Sequence, residues 1–391
     1  MKFHSHLNTA IKLLDEFDGS IPFAAYIKSF FRENKKSGSS DRKNIARCCY
    51  AFFRMGNSLK DVKVEEQIFA GLLCTGNQPD PLLQFFKPDW PQELMTPSAT
   101  LDEKIKFVHE IYPSFDPLSI FKWIDSLSEG IDVFPFVISH LQQPDVFIRT
   151  RPGAQQQVRE SLTELKIPFD QKNETAIALK PGVDLEKHFL IDKEIVIQDL
   201  NSQAAGNFIR EIDSEVKTVW DCCAGSGGKS IQAVDLLPGI ELTVSDIRES
   251  IVINLKKRFQ LAGIRKFTAF TIDITRPVIQ LPSQQFDLVI ADVPCSGSGT
   301  WGRTPEHLVH FNSTNIERYA AMQKAIAHNV VSCIRPAGYL LYITCSVFSR
   351  ENENIIRQLV ENQPFRIILQ EMIKGYHHQA DNLFAALLQK S

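Results

Sequence analysis

The sequence predicts an α/β protein whose C-terminal part forms a mixed, mostly parallel sheet of seven strands with helices on both faces. Two observations lead to this fold class. Strand-like and helix-like segments alternate from about residue 216 to the end of the chain. Polar and glycine-rich stretches directly follow the strand-like segments, as they do where a parallel sheet holds a ligand at the carboxyl ends of its strands. A small α+β module and an all-helical region are expected before this domain.

The first 135 residues are predicted to be helical. Apolar residues recur at helical spacing in residues 25–31 and again in residues 45–53. The polar run 35–41 between them contains glycine and ends in residues that often cap helices. The sequence therefore predicts a helical domain at 1–135.

Residues 144–210 are predicted to form the small α+β module. Segment 146–150 has strand character and segment 154–165 has helical character. Short strand candidates follow at 176–179 and 195–197.

The C-terminal domain is predicted over residues 211–391. Its strand candidates are 218–222, 241–245, 268–272, 286–291, 339–344, 365–369 and 383–388. Helices are expected at 229–237, 249–261, 316–334 and 352–360. Because such alternation implies parallel strands joined by crossover helices, the functional residues should lie just after the strands.

Composition limits the class of protein. The 391-residue chain has a formal net charge of -3, which argues neither for nor against nucleic-acid binding, since an acidic protein can carry a basic face. No stretch approaches ~20 uncharged apolar residues, and the N-terminal segment lacks the pattern of a signal peptide. The eight cysteines include no CxxC pair, so we expect no metal site. These features predict a cytoplasmic protein with reduced thiols and no membrane contact.

The segment 220–230, WDCCAGSGGKS, follows the first strand of the C-terminal domain. It ends like a phosphate-binding P-loop, but that motif needs a glycine where Cys223 stands. The dinucleotide fingerprint fails as well, because its third glycine is missing. What remains is an acidic residue, Asp221, followed by Gly225 and Gly227, which allow a tight turn and the close approach of a ligand to backbone N–H groups.

Two further acidic residues end the next two strands. Asp246 suits a ribose diol, since a carboxylate accepts two O–H bonds, and Asp273 could bond an adenine or the ribose. Both residues are equally well explained as helix N-caps. Three acidic strand ends beside a glycine turn indicate S-adenosylmethionine or another nucleoside cofactor.

Two cysteines are expected just past strand ends, on the ligand side of the sheet. Cys295 stands in the loop 292–300, DVPCSGSGT, and Cys345 follows the strand 339–344. Most buried cysteines act as small hydrophobic residues. That explanation fits Cys295 and Cys345 poorly, since both would border the cofactor, but we expect it to hold for Cys48, Cys49, Cys74 and Cys333.

The chemistry of cytosine explains why a thiol and an acid would stand together. Carbon 5 is a poor nucleophile until a thiolate adds to carbon 6 and turns the ring into an enamine. An acid must hold N3 protonated, a methyl donor must supply the group, and a base must then remove the carbon-5 proton. One cysteine, one aspartate and a methyl donor meet these demands, and a second cysteine could assist elimination. The base stays open between Cys295, a water molecule and another group.

Three segments, in this order and spacing, resemble the RsmB/Sun/Nop family of RNA cytosine-5 methyltransferases. They are DCCAGSGGKS at 221–230, DVPCSGSGT at 292–300 and YITCSVFSRENEN at 342–354. The similarity extends to 198–203 and 147–153, and more loosely to the NusB-like helical domain of RsmB proteins at 41–54. The resemblance implies a class I, Rossmann-like methyltransferase domain. The family's cofactor loop usually reads CAAPGGK, and Ser226 stands here in place of its proline.

The resemblance also implies a role for each motif residue. Cys345 would attack carbon 6, Cys295 would help to release the methylated product, and Asp292 would bond N3 of the cytosine. Asp292 would also help to hold S-adenosylmethionine, together with Cys223, Ala224, Gly225, Ser226, Gly227, Gly228, Lys229, Asp246 and Asp273. An exposed lysine at the start of a helix explains Lys229 equally well.

Basic side chains that could contact RNA phosphates occur in four groups: Lys35, Lys36, Arg42 and Lys43; Arg149 and Arg151; 256–258; Arg265 and Lys266. We favour Arg149 and Arg151, which lie beside the Pro-Gly break of the small module, and interpret 256–258 as a solvated helix face. Trp301 and Arg303 could contact a flipped cytosine or its neighbours, although Trp301 is equally well explained as a packing residue.

Together these features predict a cytoplasmic enzyme that methylates carbon 5 of a cytosine in structured RNA. Small-subunit ribosomal RNA is the favoured substrate, transfer RNA is another candidate, and a ribosome-assembly particle is a candidate partner. The alternative is a catalytically silent RNA-binding ribosome-assembly factor with the same fold, against which the two cysteines and Asp292 argue. Methylation of a base amino group is a third hypothesis, but such enzymes use an Asn/Asp-Pro-Pro-aromatic loop without a thiol.

Overall fold

A computed structural model describes residues 2–34, 37–276 and 282–391, so the candidate RNA contacts Lys35 and Lys36 lie outside the described residues. The described chain forms two compact units. Unit 1 comprises the chain up to Asp125, Asp132–Pro144 and Thr300–Asn312, and unit 2 comprises Ser126–Ile131, Asp145–Gly299 and Ser313–Ser391. The division into domains at 1–135, 144–210 and 211–391 stays a prediction.

The helices, in chain order, are α1 (Lys2–Glu16), α2 (Phe23–Glu33), α3 (Ser39–Arg54), α4 (Val64–Thr75), α5 (Pro81–Phe86), α6 (Leu101–Ile111), α7 (Val133–Ser139), α8 (Gln155–Glu164), α9 (Leu185–His188), α10 (Leu200–Arg210), α11 (Gly228–Leu236), α12 (Glu249–Leu261), α13 (His307–His310), α14 (Thr314–Val330) and α15 (Glu353–Asn362). The strands are β1 (Val146–Thr150), β2 (Phe169–Gln171), β3 (Ala176–Leu179), β4 (Ile195–Ile197), β5 (Thr218–Asp221), β6 (Glu241–Asp246), β7 (Phe267–Thr271), β8 (Phe286–Asp292), β9 (Ile334–Thr344), β10 (Phe365–Ile373) and β11 (Leu383–Lys390).

Unit 1 is helical and has an aromatic core. The ring centroid of Phe23 lies 4.8 Å from that of Phe53 and 5.1 Å from that of Phe17, in edge-to-face geometry. Helices α3 and α4 pack so closely that a Cβ at Gly71 would lie 2.3 Å from the carbonyl oxygen of Ala51. A glycine is therefore required at that crossing.

The large sheet of unit 2 has the strand order β10-β11-β9-β8-β5-β6-β7. Strands β5 to β9 pair in parallel, and β11 pairs antiparallel with β9 and with β10. The two central strands β8 and β9 are largely buried, because apolar cores cover both faces of the sheet. The predicted α/β class with a mixed, mostly parallel seven-stranded sheet is confirmed.

A second, antiparallel sheet of unit 2 has the order β2-β3-β1-β4. Helix α8 covers this sheet, since its Val158 and Leu162 share one core with Ile148 and Ile177. The sheet and its helix correspond to the small module expected from the sequence.

Several elements differ from the sequence-based expectation, among them β9, α14 and α10. Strand β9 begins at Ile334 rather than at residue 339, and α14 ends at Val330 because a tighter turn, Val331–Cys333, follows it. Helix α10 was not predicted, although Asp199 caps it by accepting a hydrogen bond from the backbone N–H of Asn201 at 2.9 Å.

Within the described residues, none of the helices is long and apolar enough to cross a membrane.

Candidate active site

The carboxyl ends of β5, β6 and β8 border a cavity of about 970 Å³ in unit 2. Eleven of the twelve sequence-predicted site residues line it: Cys223, Ala224, Gly225, Ser226, Gly228, Lys229, Asp246, Asp273, Asp292, Cys295 and Cys345. The twelfth, Gly227, does not line the cavity. A volume of this size matches cofactor and substrate pockets in proteins.

The loop between β5 and α11 turns through two glycines in the left-handed region. Gly225 has φ +51° and Gly227 has φ +87°. A Cβ at Gly227 would lie 2.8 Å from the ring of Phe259, so this position excludes larger residues. The backbone N–H of Gly225 donates to Asp246 Oδ2 at 3.1 Å, which ties the loop to the end of β6.

Arg258, which the sequence placed on a solvated helix face, instead supports this loop. Its Nη1 donates to the carbonyl oxygen of Ser226 at 2.8 Å, and its Nε donates to Asp192 Oδ2 at 2.8 Å. Lys256 and Lys257 on the same helix are exposed, as predicted. The sequence held no sign of the contact with Asp192, because the two residues are far apart in the chain.

Replacing Arg258 with alanine is expected to weaken cofactor binding by about tenfold, because the loop loses a charge-assisted hydrogen bond at its exposed tip. Calorimetric titration with S-adenosylmethionine measures the change. The exposed neighbour Lys257→Ala is the matched control and should bind the cofactor like the parent protein. Equal affinity of the two variants would show that Arg258 does not hold the loop.

Lys229 is buried and joins the cofactor loop to the catalytic candidate Asp292. Its Nζ lies 3.2 Å from Asp292 Oδ2 and donates to Ser202 Oγ at 2.6 Å. Burial is the largest single effect and lowers the pKa of the Lys229 ammonium, but the neighbouring acidic groups, Asp292 first among them, together raise that pKa above its usual value. The explanation of Lys229 as an exposed helix-start lysine is therefore wrong. Ser202, on α10, was missed because α10 was not predicted.

Asp221 provides a test of whether the cavity suits a cationic cofactor. The side chain is fully buried, and Oδ2 accepts a hydrogen bond from Ser230 Oγ at 2.5 Å. Oδ1 has no hydrogen-bond partner among the described residues. Burial raises the pKa of this carboxyl to about 7. A ligand with a cationic donor, such as the ammonium of S-adenosylmethionine, would satisfy the orphaned oxygen, so the residues fit that cofactor.

The two other acidic strand ends differ from each other. Asp246 Oδ1 accepts the backbone N–H of Arg248 at 2.9 Å while Oδ2 holds Gly225, so both its oxygens fix loops. Asp273 Oδ1 accepts from Thr275, and Oδ2 lies 3.0 Å from Arg276. The side-chain hydrogen bond from Thr275 lowers the pKa of Asp273. No helix follows Asp273 directly, so the helix-cap explanation does not apply to it.

The two candidate catalytic thiols are partly buried and lie beside charged groups. Burial raises the pKa of Cys295 to about 12, and the charge of Glu351 adds to the shift. Burial also raises the pKa of Cys345 well above its usual range; the Asp292 carboxylate raises it further and Lys229 opposes it. Both thiols are therefore protonated at neutral pH in the absence of ligand. The other predicted core cysteines, Cys48, Cys49, Cys74 and Cys333, are buried and free, as expected.

Glu351 is a fully buried carboxylate that joins the two cysteine loops, and the sequence reasoning gave it no role. Its Oε2 accepts from the backbone N–H of Ser296 at 2.9 Å and from Gln323 Nε2 at 2.8 Å. Its Oε1 accepts from Ser346 Oγ at 2.7 Å. Ser296 follows Cys295 and Ser346 follows Cys345, so one side chain fixes the residue next to each thiol. Glu351 lies within the third motif, 342–354, and this position is the signal by which the sequence could have identified it.

Replacing Glu351 with alanine is expected to lower the free energy of unfolding by about 3 kcal/mol, because three buried donors lose their acceptor. Glu351→Gln is the matched variant and should lose about half as much. Its amide oxygen can still accept from Ser296, and its amide nitrogen can donate to Ser346 Oγ. Urea unfolding followed by tryptophan fluorescence measures both. Equal stability of parent and alanine variant would contradict the role assigned to this network.

The structure contradicts the preferred RNA contacts at Arg149 and Arg151. Both guanidinium groups are bound internally by one carboxylate, with Arg149 Nη1 at 2.6 Å and Arg151 Nη2 at 2.8 Å from Asp235. Arg149 is only 5% exposed. Neither side chain is placed to contact phosphate at the surface, because Asp235 and backbone carbonyls use most of their donors.

Trp301 is a packing residue of unit 1. It is fully buried, and its ring centroid lies 4.7 Å from that of Phe311 and 5.2 Å from that of Trp123. The structure therefore favours the explanation of Trp301 as a packing residue over a contact of Trp301 with a flipped base. The roles suggested for Arg303, Arg42, Lys43, Arg265 and Lys266 stay predictions.

Residues 212–386 match the family model described as 16S rRNA methyltransferase RsmB/F. This domain belongs to the RsmB/F methyltransferase family. The family match confirms the recognition made from the three motifs, and it confirms S-adenosylmethionine as the cofactor of the RsmB/F domain.

A curated relative and two solved structures are also similar to this chain. The probable ribosomal RNA small subunit methyltransferase B of Bacillus subtilis is 28% identical over 192 residues, which cover 49% of this chain and 42% of that protein. The crystal structure of PH0851 has a TM-score of 0.69 at 18% identity and covers 98% of both chains. NSun6 from Pyrococcus horikoshii, solved with SFG, has a TM-score of 0.55 at 12% identity, covering 68% of this chain and 99% of that one. At these identities the two structures show a shared fold.

The match to the curated relative spans less than half of that relative's length. Within the described residues, no group of three or more histidine, cysteine, aspartate or glutamate side chains is placed to hold a metal ion.

Proposed function

We propose that this protein transfers a methyl group from S-adenosylmethionine to carbon 5 of a cytosine in structured RNA, through a covalent bond between Cys345 and carbon 6. Small-subunit ribosomal RNA is the proposed substrate, in line with the name of the Bacillus subtilis relative. One observation carries the proposal: both thiols and Asp292 line the same cavity as the cofactor loop. A binding protein without catalysis has no use for this combination.

The nucleophilic step uses Cys345. Its Sγ adds to carbon 6, the ring electrons move toward carbon 5, and the proton lost by the thiol is balanced by the proton gained at N3. Asp292 holds that proton at N3. Because Lys229 Nζ donates a hydrogen bond to Asp292 Oδ2, the oxygen of Asp292 that is left to contact the cytosine is Oδ1. The cofactor supplies an electrophilic methyl group when bound, and carbon 5 of the activated ring accepts it.

Product release is assigned to Cys295. Once carbon 5 carries the methyl group, its proton must leave and the bond between Cys345 and carbon 6 must break. Cys295 lines the same cavity as Cys345, and the backbone N–H groups of Gly297 and Cys345 lower the pKa of its thiol against the larger effect of burial. The net change is one methyl group gained by cytosine and one proton lost. Cys295, a water molecule or another group could be the base.

The rate constant for methyl transfer is expected to rise with pH from about 6 to 9. Only the thiolate adds to carbon 6, and burial holds the pKa of Cys345 above its usual range, so the reactive fraction grows about tenfold per pH unit below that pKa. Single-turnover rates at saturating RNA and cofactor measure this, with cofactor affinity followed over the same range. A plateau below pH 8 would contradict the assignment.

The substrate is tested with small-subunit ribosomal RNA from cells that lack the protein. The RNA is offered naked, in small-subunit particles and beside total transfer RNA, and bisulfite sequencing identifies methylated cytosines. We expect one protected cytosine in one RNA, and Asp292→Asn should lower its formation by about 10³-fold. RNA binding without methylation by the parent protein would instead favour the catalytically silent assembly factor.

A further inference from the structure

A second cavity of unit 2, of about 460 Å³, lies beside α10 on the small-module side. Its wall includes residues of β1, of the turn between β2 and β3, and of α10 and α11. Two side chains in this wall lack a hydrogen-bond partner at one atom within the described part of the chain. They are Arg149, at Nη2, and Gln203, at Oε1. Both residues are more than nine-tenths buried, with exposed fractions of 5% and 6%.

Both orphaned atoms are held in place by the same residue, Gln198. Arg149 Nε donates to Gln198 Oε1 at 2.8 Å, and Gln203 Nε2 donates to the Gln198 carbonyl oxygen at 2.9 Å. That second bond fixes the orientation of the Gln203 amide, so the atom without a partner is the oxygen. The wall thus carries one unpaired donor and one unpaired acceptor, on two residues that bind the same glutamine. Leaving both unpaired is costly, so an occupant of the cavity is their natural partner.

The charges of the wall argue against a phosphate as that occupant. Arg149 and Arg210 are balanced by Asp235 and Glu174. The orphaned acceptor, Gln203 Oε1, would repel an anion. A neutral group that carries an acceptor next to a donor fits better, and the edges of the RNA bases have this pattern.

The remaining wall suits a flat ring joined to a polymer. Leu200, Ala204 and Leu236 supply apolar surface within the cavity. Asn207 and Arg210 are exposed at its rim, where a ribose and a phosphate would leave it. Within the described residues Arg210 has no ion pair, so its charge is available to a phosphate.

We propose that this cavity is a second RNA subsite, which takes one unpaired nucleobase of the RNA. Arg149 Nη2 donates to a ring carbonyl or ring nitrogen, and Gln203 Oε1 accepts an amino or imino hydrogen. The inference rests on the proposed function, since it assigns the subsite to the same RNA. It also revises the role of Arg149, which binds a base edge instead of a phosphate.

The test fills the cavity from its rim. Asn207→Phe introduces an aromatic ring at the rim of the cavity, and it also removes the acceptor of the 3.3 Å hydrogen bond from Arg210 Nη1. Asn207→Ala controls for that loss and should bind RNA like the parent. Arg149→Lys removes Nη2 while keeping a cation beside Asp235. Gln156→Phe puts the same ring on the exposed side of α8, outside the cavity, and is the matched control. The probe is a fluorescein-labelled single-stranded RNA of random sequence. S-adenosylhomocysteine is present at saturation, so that the cofactor position is occupied in every sample.

We expect Asn207→Phe and Arg149→Lys to weaken RNA binding by about tenfold and the control to bind like the parent. Thermal unfolding checks that each variant is folded; if Arg149→Lys is not, Asn207→Phe decides. Unchanged affinity in Asn207→Phe would overturn the proposal and leave a water-filled cavity. Binding of free guanosine or cytidine to the parent but not to Asn207→Phe, with RNA affinity unchanged, would overturn the RNA assignment in favour of a free nucleoside.

The same preparations are assayed for methyl transfer to small-subunit ribosomal RNA. Methylation by the parent protein with equal RNA affinity of all variants would reject the second subsite and leave the proposed function standing. Absence of methylation by the parent, with RNA affinity still dependent on the cavity, would reject the proposed function and keep the subsite.

Discussion

Replacing Cys295 with alanine is expected to leave the protein covalently joined to RNA in growing cells. Without the second thiol, the bond between Cys345 and carbon 6 persists after carbon 5 has received its methyl group. Cys295 lines the same cavity as Cys345, so it is well placed to assist release. We expect at least about a tenfold rise in adduct over the parent protein. A denaturing gel with RNase treatment detects the adduct, and sequencing of the attached RNA identifies the target cytosine.

The double variant Cys295→Ala/Cys345→Ala is the control for this experiment and should form no adduct. The single variant Cys333→Ala, at a buried cysteine outside the cavity, should behave like the parent protein. An adduct that survives in the double variant would mean that another residue attacks the ring. No adduct in Cys295→Ala, with methyl transfer intact, would remove the release role from Cys295.

Replacing Cys345 with alanine is expected to lower methyl transfer by about 10⁴-fold or more, because carbon 5 of cytosine then has no route to activation. Cofactor affinity should change little, since the cofactor loop and Asp246 do not depend on this thiol. Single-turnover methylation of the target RNA measures the rate, and calorimetric titration measures the affinity. Activity within tenfold of the parent would show that the thiol is not the nucleophile.

The strand-end residues could be predicted because the physics that places them is local in sequence. Asp292 and Cys345 each follow an apolar strand, and the carboxyl ends of parallel strands meet at one edge of the sheet. The glycine turn at 225–227 could be predicted for the same reason. Their assembly around one cavity follows from the parallel sheet, which the alternating pattern implied.

Residues that act through distant partners could not be predicted in this way. The sequence pattern indicates that Arg149 and Arg151 are surface charges. In the fold both bind Asp235, which lies more than 80 residues away in sequence. The sequence pattern likewise places Arg258 on a solvated helix face, whereas in the fold its guanidinium group donates a hydrogen bond to Asp192. The role of Lys229 was ambiguous because its partner Asp292 lies at the end of β8, 63 residues away in sequence. Charge pattern alone does not reveal such pairs, since burial decides whether a charged group needs one.

The electrostatics of the cavity suggests how the two substrates depend on each other. Burial keeps the Cys345 thiol protonated without ligand, and the nearby Asp292 carboxylate adds to that effect. A cation in the cavity works in the opposite direction, as Lys229 already does. Without ligand the Cys345 thiol is therefore expected to react slowly with other electrophiles.

The central claim, a bond between Cys345 and carbon 6 of the target cytosine, is tested most directly with fluorinated RNA. Small-subunit ribosomal RNA transcribed with 5-fluorocytidine carries no proton at carbon 5, so the parent protein cannot complete elimination after methyl transfer. After incubation with S-adenosylmethionine and digestion of both polymers, mass spectrometry locates the modified peptide. We predict a methylated fluorocytidine attached to Cys345. Attachment at Cys295, or no attachment with normal binding of RNA and cofactor, would contradict the mechanism.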